Sequence, residues 1–245
     1  MAVALERKLQ LAFTKRLVST AEGRAHLLAQ VADAESSGES VIFERALAQV
    51  SDPELQQLIK KHRADELRHE ALFRGRLART GIDATTPPEL RMIDRLDSAV
   101  GGLLSRPIED ARGVMEAYLL LQVIEERAVS QFPLIIAALQ PVDEGSATTF
   151  QAVLADEERH LKYCQAIARR YAPSDEERER TLLRFRTAEA DAFRENQLAN
   201  ATYVLARGFM GGKLASLPWR IALAIGKRRA PKLTEFARPP IHAAA

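Results

Sequence analysis

One cysteine, Cys164, stands in 245 residues, so no disulfide can close within the chain. That usage belongs to a reducing compartment, and the cytoplasm is the expected location. Aromatic residues are scarce at 6%, which leaves a core to be filled mainly by aliphatic side chains. No uninterrupted apolar run has the length needed to span a bilayer. Glu6, Arg7, Lys8, Lys15 and Arg16 interrupt the apolar residues of Met1 to Thr20, which speaks against a signal peptide. Proline and glycine cluster at a few places and leave long stretches rich in Ala, Leu, Glu and Arg, the residues that favour helix over strand. The expected fold class is all-α.

The breaks divide the chain into segments. Leu5, Leu9, Phe13 and Leu17 recur at helical spacing, which predicts an N-terminal amphipathic helix within residues 1–20. A first long helix comes next, from about Arg24 to Val50. It stops at Ser51-Asp52-Pro53, where Asp52 can cap and Pro53 can open a second helix running to about Thr80. Residues 82–107 hold Pro87-Pro88, Gly101-Gly102 and Pro107, with a short helix at Leu90 to Val100, and read as a long crossover. Third and fourth helices are expected from about Ile108 to Leu139 and Ser146 to Tyr171. Helix pair, crossover and helix pair make residues 21–172 a four-helix bundle of ferritin-like connectivity. Residues 173–245 form a C-terminal extension. In it, Ser174-Asp175-Glu176-Glu177 is a capping-box pattern for a helix to about Leu205, and Gly208, Gly211-Gly212 and Pro218 break the stretch from Arg207 to Ile225.

The chain repeats one motif. Ala64-Asp65-Glu66-Leu67-Arg68-His69 returns as Ala155-Asp156-Glu157-Glu158-Arg159-His160, each copy placing Glu and His three residues apart on one helix face. Both copies lie on otherwise apolar stripes. Leu55, Ile59, His62, Glu66, His69, Phe73 and Leu77 make one, and Val153, Glu157, His160, Cys164, Ile167 and Tyr171 the other. Carboxylates at core positions are costly without a partner, and a metal ion is one of the few partners that justifies several. Two Glu-x-x-His pairs plus one Glu from each partner helix make a di-metal carboxylate site. On the first helix the stripe Leu28, Val31, Glu35, Gly38, Ile42 selects Glu35, with Glu39 as rival. On the third, Val114, Tyr118, Leu121, Glu125, Ala128, Phe132 and Ile135 selects Glu125, although Glu126 matches the 157 − 66 = 91 residue repeat offset. His62 is open as a further ligand, a pocket group or a satisfied core histidine. Tyr118, Tyr163 and Cys164 border the same stripes.

These residues resemble the ferritin-like di-iron carboxylate proteins. Glu35-Ser36-Ser37-Gly38 with Phe43, and Glu125-Glu126-Arg127-Ala128 with Phe132, look like the Glu-x-x-small pattern of that family's first and third helices. The two Asp-Glu-x-Arg-His motifs look like the ligand helices of rubrerythrins and of a tRNA hydroxylase. The resemblance covers about residues 24–171 and implies that Asp65 and Asp156 each accept a hydrogen bond from the non-ligating nitrogen of a site histidine. It departs from rubrerythrin in lacking a Cys-x-x-Cys module, so electrons are expected from an external donor.

Four carboxylates and two imidazoles form a hard donor set suited to iron, with manganese an option at one position. The expected function is therefore a di-iron oxidoreductase that activates dioxygen, as an oxygenase or hydroxylase of an organic substrate. A ferroxidase or peroxidase, and a non-catalytic helical binding module, are the alternatives. The tail adds a further lead. Tyr203 to Arg238 holds eight Lys or Arg against one Glu, +7, which leaves −5 for the rest of a chain whose net charge is +2. A membrane surface, an RNA backbone, or packing on the bundle or on a second subunit of a homodimer would each suit it.

Overall fold

The computed structural model describes the backbone of residues 2–36 and 39–229, and the side chains of 7–36 and 42–225. Among these residues the fold is all-helical. Nine α-helices occur: α1 (Ala2–Val18), α2 (Ala21–Ser36), α3 (Glu39–Gln49), α4 (Pro53–Arg79), α5 (Met92–Ala99), α6 (Ala111–Leu139), α7 (Glu144–Tyr171), α8 (Asp175–Arg207) and α9 (Lys213–Arg229). A short 3₁₀ turn, Pro88–Leu90, precedes α5.

Local chemistry sets most of the starts. The carboxylate of Asp52 accepts from the amides of Glu54 and Leu55, with Pro53 in the first helical position where its missing N–H costs nothing. Asp110 caps α6 through the Gly113 amide, Asp143 caps α7 through Ser146, and Ser174 caps α8 through Glu177. Gly208, at φ 75°, closes α8 in the left-handed conformation that side chains disfavour. The first expected long helix covers α2 and α3, and residues 37–38 between them lie outside the described residues. One sequence expectation changes. The stretch after Gly212 is not broken: α9 runs through Pro218, six residues into the helix, where the lost amide would have met the carbonyl of the solvent-exposed Leu214.

Short connections make α6 and α7 antiparallel neighbours, and likewise α3 and α4; α2 packs on α4, α4 on α7, α1 and α8 on α6, and α5 on α8. Two apolar clusters fill the interior. One gathers Ile42, Phe43, Ile59, Tyr118, Leu121, Cys164 and Ile167, together with Leu182 and Phe185 of α8. The other gathers Leu28, Phe73, Phe132, Phe150 and Val153, together with Val18 of α1. Three long helices pass from one cluster to the other: α4 from Ile59 to Phe73, α6 from Leu121 to Phe132, α7 from Val153 to Cys164. Between these anchors lie polar residues.

The second cluster depends on an aromatic trio. Phe150 meets Phe132 edge-on at 5.0 Å between centroids and Phe73 at 4.7 Å, and it is fully buried. Phe150→Ala should cost about 3–5 kcal/mol, read as a lower urea midpoint at unchanged slope.

Candidate metal centre

The polar band between the clusters contains Glu35 of α2, His62, Glu66 and His69 of α4, Glu125 of α6, and Glu157 and His160 of α7. Helical spacing explains the assembly: positions 62, 66 and 69 occupy one face of α4, and 157 and 160 one face of α7. Their donor atoms form two groups, His62/Glu66/Glu125/His160 and Glu35/Glu66/His69/Glu157, each lying within 4.8 Å of one another. Glu66 belongs to both.

Glu157 also faces both. Its Oε1 lies 3.2 Å from His69 Nδ1 and its Oε2 3.1 Å from His160 Nδ1, so each carboxylate oxygen addresses a different imidazole. Glu66 Oε1 lies 3.0 Å from His160 Nδ1 and 3.2 Å from His62 Nε2, while its Oε2 is 3.8 Å from His69 Nδ1. Glu35 stands 3.4 Å from His69 Nδ1 at the outer end of one group, and Glu125 accepts from His62 Nε2 at 2.9 Å in the other. Two carboxylates thus face both groups and two face one.

The two motif histidines are held from behind by the other motif's aspartate. His160 Nε2 is 3.3 Å from Asp65 Oδ2, and His69 Nε2 is 3.2 Å from Asp156 Oδ2. This directs both Nδ1 atoms at the carboxylates. Arg68 and Arg159 close the ring. Arg68 donates to Asp65 at 3.1 Å and to Asp156, and Arg159 donates to Asp65 at 2.9 Å and to Asp156. Burial alone would raise both aspartates, but the neighbouring guanidiniums and imidazoles, with Lys61 at Asp65, hold each below the usual carboxylate range, Asp156 at about 2.

Several sequence candidates fall elsewhere. Glu126 turns outward to Arg186 at 2.5 Å. The side chain of Glu39 lies outside the described residues. Tyr118 is fully buried in the apolar cluster of Cys164, and burial pushes its hydroxyl well above the ordinary tyrosine value. Tyr163 lies with its ring centroid 6.3 Å from that of His160. His62 belongs to the donor group, not to a purely apolar setting; its place one turn before Glu66 is the sequence signal. Sequence reasoning misses Arg68 and Arg159, although they occupy equal places in the two motifs.

A metal fits this chemistry on two grounds. Glu66 Oε1 and His69 Nδ1 are buried yet make no hydrogen bond, although both point into the cluster. The donor set also strains without a cation. Burial, then the Glu157 and Glu66 charges, push Glu35 well above the usual range despite the opposing His69. Burial acts against charge on the rings, yet Cys164 and Glu66 push His62 up to about 10, and Glu157, Glu35 and Glu66 push His69 up to about 12. These buried His and Glu groups can hold a metal ion. No family model, no curated protein and no solved structure matches this chain.

Raised histidine values fix the sign of the pH dependence. Without metal, their contribution to stability is complete below the ordinary histidine value and is lost as pH rises through about 10 for His62 and about 12 for His69. A metal takes the neutral ring, so loading displaces protons. Titrating metal-free protein with ferrous iron should release more than one proton per chain near neutral pH, measured calorimetrically in buffers of different ionisation enthalpy. Apparent affinity should climb between about pH 6 and 8. His62→Ala should weaken metal binding, whereas His69→Ala with His160→Ala should abolish it.

Proposed function

We propose that the chain is a ferritin-like di-iron carboxylate oxygenase or hydroxylase, with α2, α4, α6 and α7 as its four-helix bundle, residues 80–110 as the crossover, and two irons held by Glu35, His62, Glu66, His69, Glu125, Glu157 and His160. The observation that carries this reading over the alternatives is a cavity of about 280 Å³ whose wall includes all four site carboxylates, Glu35, Glu66, Glu125 and Glu157. That is close to the lower end of small-molecule pockets, about 300 Å³. A site that only oxidises or stores iron has no need of an organic-sized chamber beside the metals.

The wall supports a substrate that is neutral and largely apolar. Leu27, Val31, Ile124, Phe132, Leu96 and Phe13 supply hydrocarbon from α1, α2, α5 and α6. One stripe of α8 supplies polarity through Asn196, Gln197 and Asn200. Two acidic groups in the wall are already engaged: Glu189 takes both Arg127 nitrogens at 2.6 Å, and Asp33 accepts from Arg74 and from the Thr86 amide, each at 3.2 Å; Arg91 lies among the same lining residues. The carboxamides offer hydrogen bonds to a hydroxyl, carbonyl or amide.

Bound ferrous ions would supply the electrons for activating dioxygen, a chemistry that belongs to the cofactor. The protein's part is positional. Glu66 and Glu157, which face both donor groups, would hold the metal together with the other ligands, and Asp65 and Asp156 would fix the histidine tautomers. The apolar walls exclude water from the reacting face, and α8 orients the substrate.

The test combines stoichiometry with label transfer. Anaerobic loading should give two irons per chain. The reduced protein, given isotopically labelled dioxygen and a neutral-lipid extract, should then transfer label to an organic product. Ala128→Phe, which fills the cavity beside Glu125, should leave iron stoichiometry unchanged and cut label transfer by about tenfold or more. Repeated ferrous oxidation without organic label would place the chain among ferroxidases or peroxidases. Failure to bind metal would leave a helical binding module.

A further inference from the structure

The C-terminal helix α9 has two unlike faces. Inward, Trp219 meets Phe13 of α1 edge-on at 5.5 Å and 88°, and Leu223 joins the same small cluster with Leu17, Val204, Leu205 and Met210. Arg220 ties the helix to α8 by donating to the Leu205 carbonyl at 2.9 Å. Outward, Leu214, Leu217, Ile221 and Ile225 succeed one another at steps of three, four and four residues, so they form a single stripe. They are 88%, 49%, 54% and 48% exposed, whereas most large apolar side chains of this protein are covered. A contiguous bare stripe of this kind marks a contact surface.

The charge of the helix selects what covers it. The segment Lys213–Arg229 carries Lys213, Arg220, Lys227, Arg228 and Arg229 and no acidic residue. Pairing α9 with α9 of a second copy would set these like charges against one another, and α9 offers no carboxylate to offset them. An RNA strand would call for bases stacked on aromatic rings, but the lone Trp of the chain is turned inward onto Phe13. Aliphatic side chains on the exposed face, flanked by basic ones, are the composition of a helix lying in the plane of an anionic lipid surface.

We infer that α9 docks the protein on anionic membranes, with Leu214, Leu217, Ile221 and Ile225 entering the acyl boundary and the basic residues meeting lipid phosphates. The surface is remote in chemistry from the metal cluster and does not depend on it. No helix of the described residues is long and apolar enough to cross a membrane, so attachment is peripheral. Phe13 links this surface to the interior, since it carries Trp219 on one side and lines the cavity on the other.

The experiment is co-sedimentation of the full chain with vesicles of phosphatidylcholine alone and of phosphatidylcholine mixed with phosphatidylglycerol. Binding is expected to the anionic vesicles, weakened by about 0.5 M salt through screening of the basic residues. Replacing Leu214, Leu217, Ile221 and Ile225 by Ser should reduce it by about tenfold or more. Because these side chains point away from the core, that variant should keep the wild-type helical spectrum and melting temperature. A second variant, Leu217→Glu alone, covers the case in which the fourfold change unfolds α9. Absence of binding to either vesicle, or binding that both variants retain, overturns the inference. So does a concentration-dependent dimer, or retention of tRNA, that the stripe variants abolish while vesicle binding is absent.

Discussion

Everything in this protein is arranged around the burial of four carboxylates and three imidazoles in one band between two apolar clusters. An isolated ionised group in such a place is prohibitively expensive, and the molecule tolerates seven only because each compensates another. The pKa shifts record that compensation: the imidazoles climb and Glu66 and Glu157 fall as they face one another, while Glu35, at the edge of the group and short of cations, climbs instead. The clusters above and below supply the packing that keeps four helices in register while their middle segments carry charge. Side chains that would relax in a loop are held at fixed positions because Ile59 and Phe73 pin α4, and Phe150 and Ile167 pin α7, on both sides of the band.

Around that band runs a second layer of opposite sense. Asp65, Asp156, Arg68 and Arg159 form a closed ring in which each arginine contacts both aspartates. This ring is partly exposed, so its ion pairs add modestly to stability. Its value is orientational. By tying α4 to α7 through paired carboxylates it fixes where the two Nε2 atoms point, and hence where the two Nδ1 atoms must point.

Much of this was legible in the sequence, and the reasons are physical. Asp52-Pro53 and Ser174 announce helix starts because their side chains satisfy free amides, and the stripes of α4, α6 and α7 show which residues turn inward. The stripe also places Glu125 inward and leaves Glu126 outward, where Arg186 meets it, even though the repeat offset points the other way. What could not be read depends on packing between distant segments. Pro218 reads as a breaker, yet it falls near the start of α9, where its missing amide leaves one exposed carbonyl to water. The cavity draws its wall from α1, α2, α5, α6 and α8, so no single periodicity reveals it. The crossed pairing of each aspartate with the other motif's histidine likewise exists only once α4 lies beside α7.

The duplication stops being symmetric one turn before the motif. His62 lies four residues before Glu66, and the position four residues before Glu157 is Val153, a fully buried member of the aromatic cluster. One donor group thus contains two nitrogen atoms and the other contains one. Imidazole favours the later first-row divalent ions more than carboxylate does. The two donor groups are therefore chemically unequal, one richer in imidazole and the other richer in carboxylate. A near-twofold internal duplication has in this way acquired polarity, with a nitrogen-rich end at His62 and an oxygen-rich end on the side of Glu35.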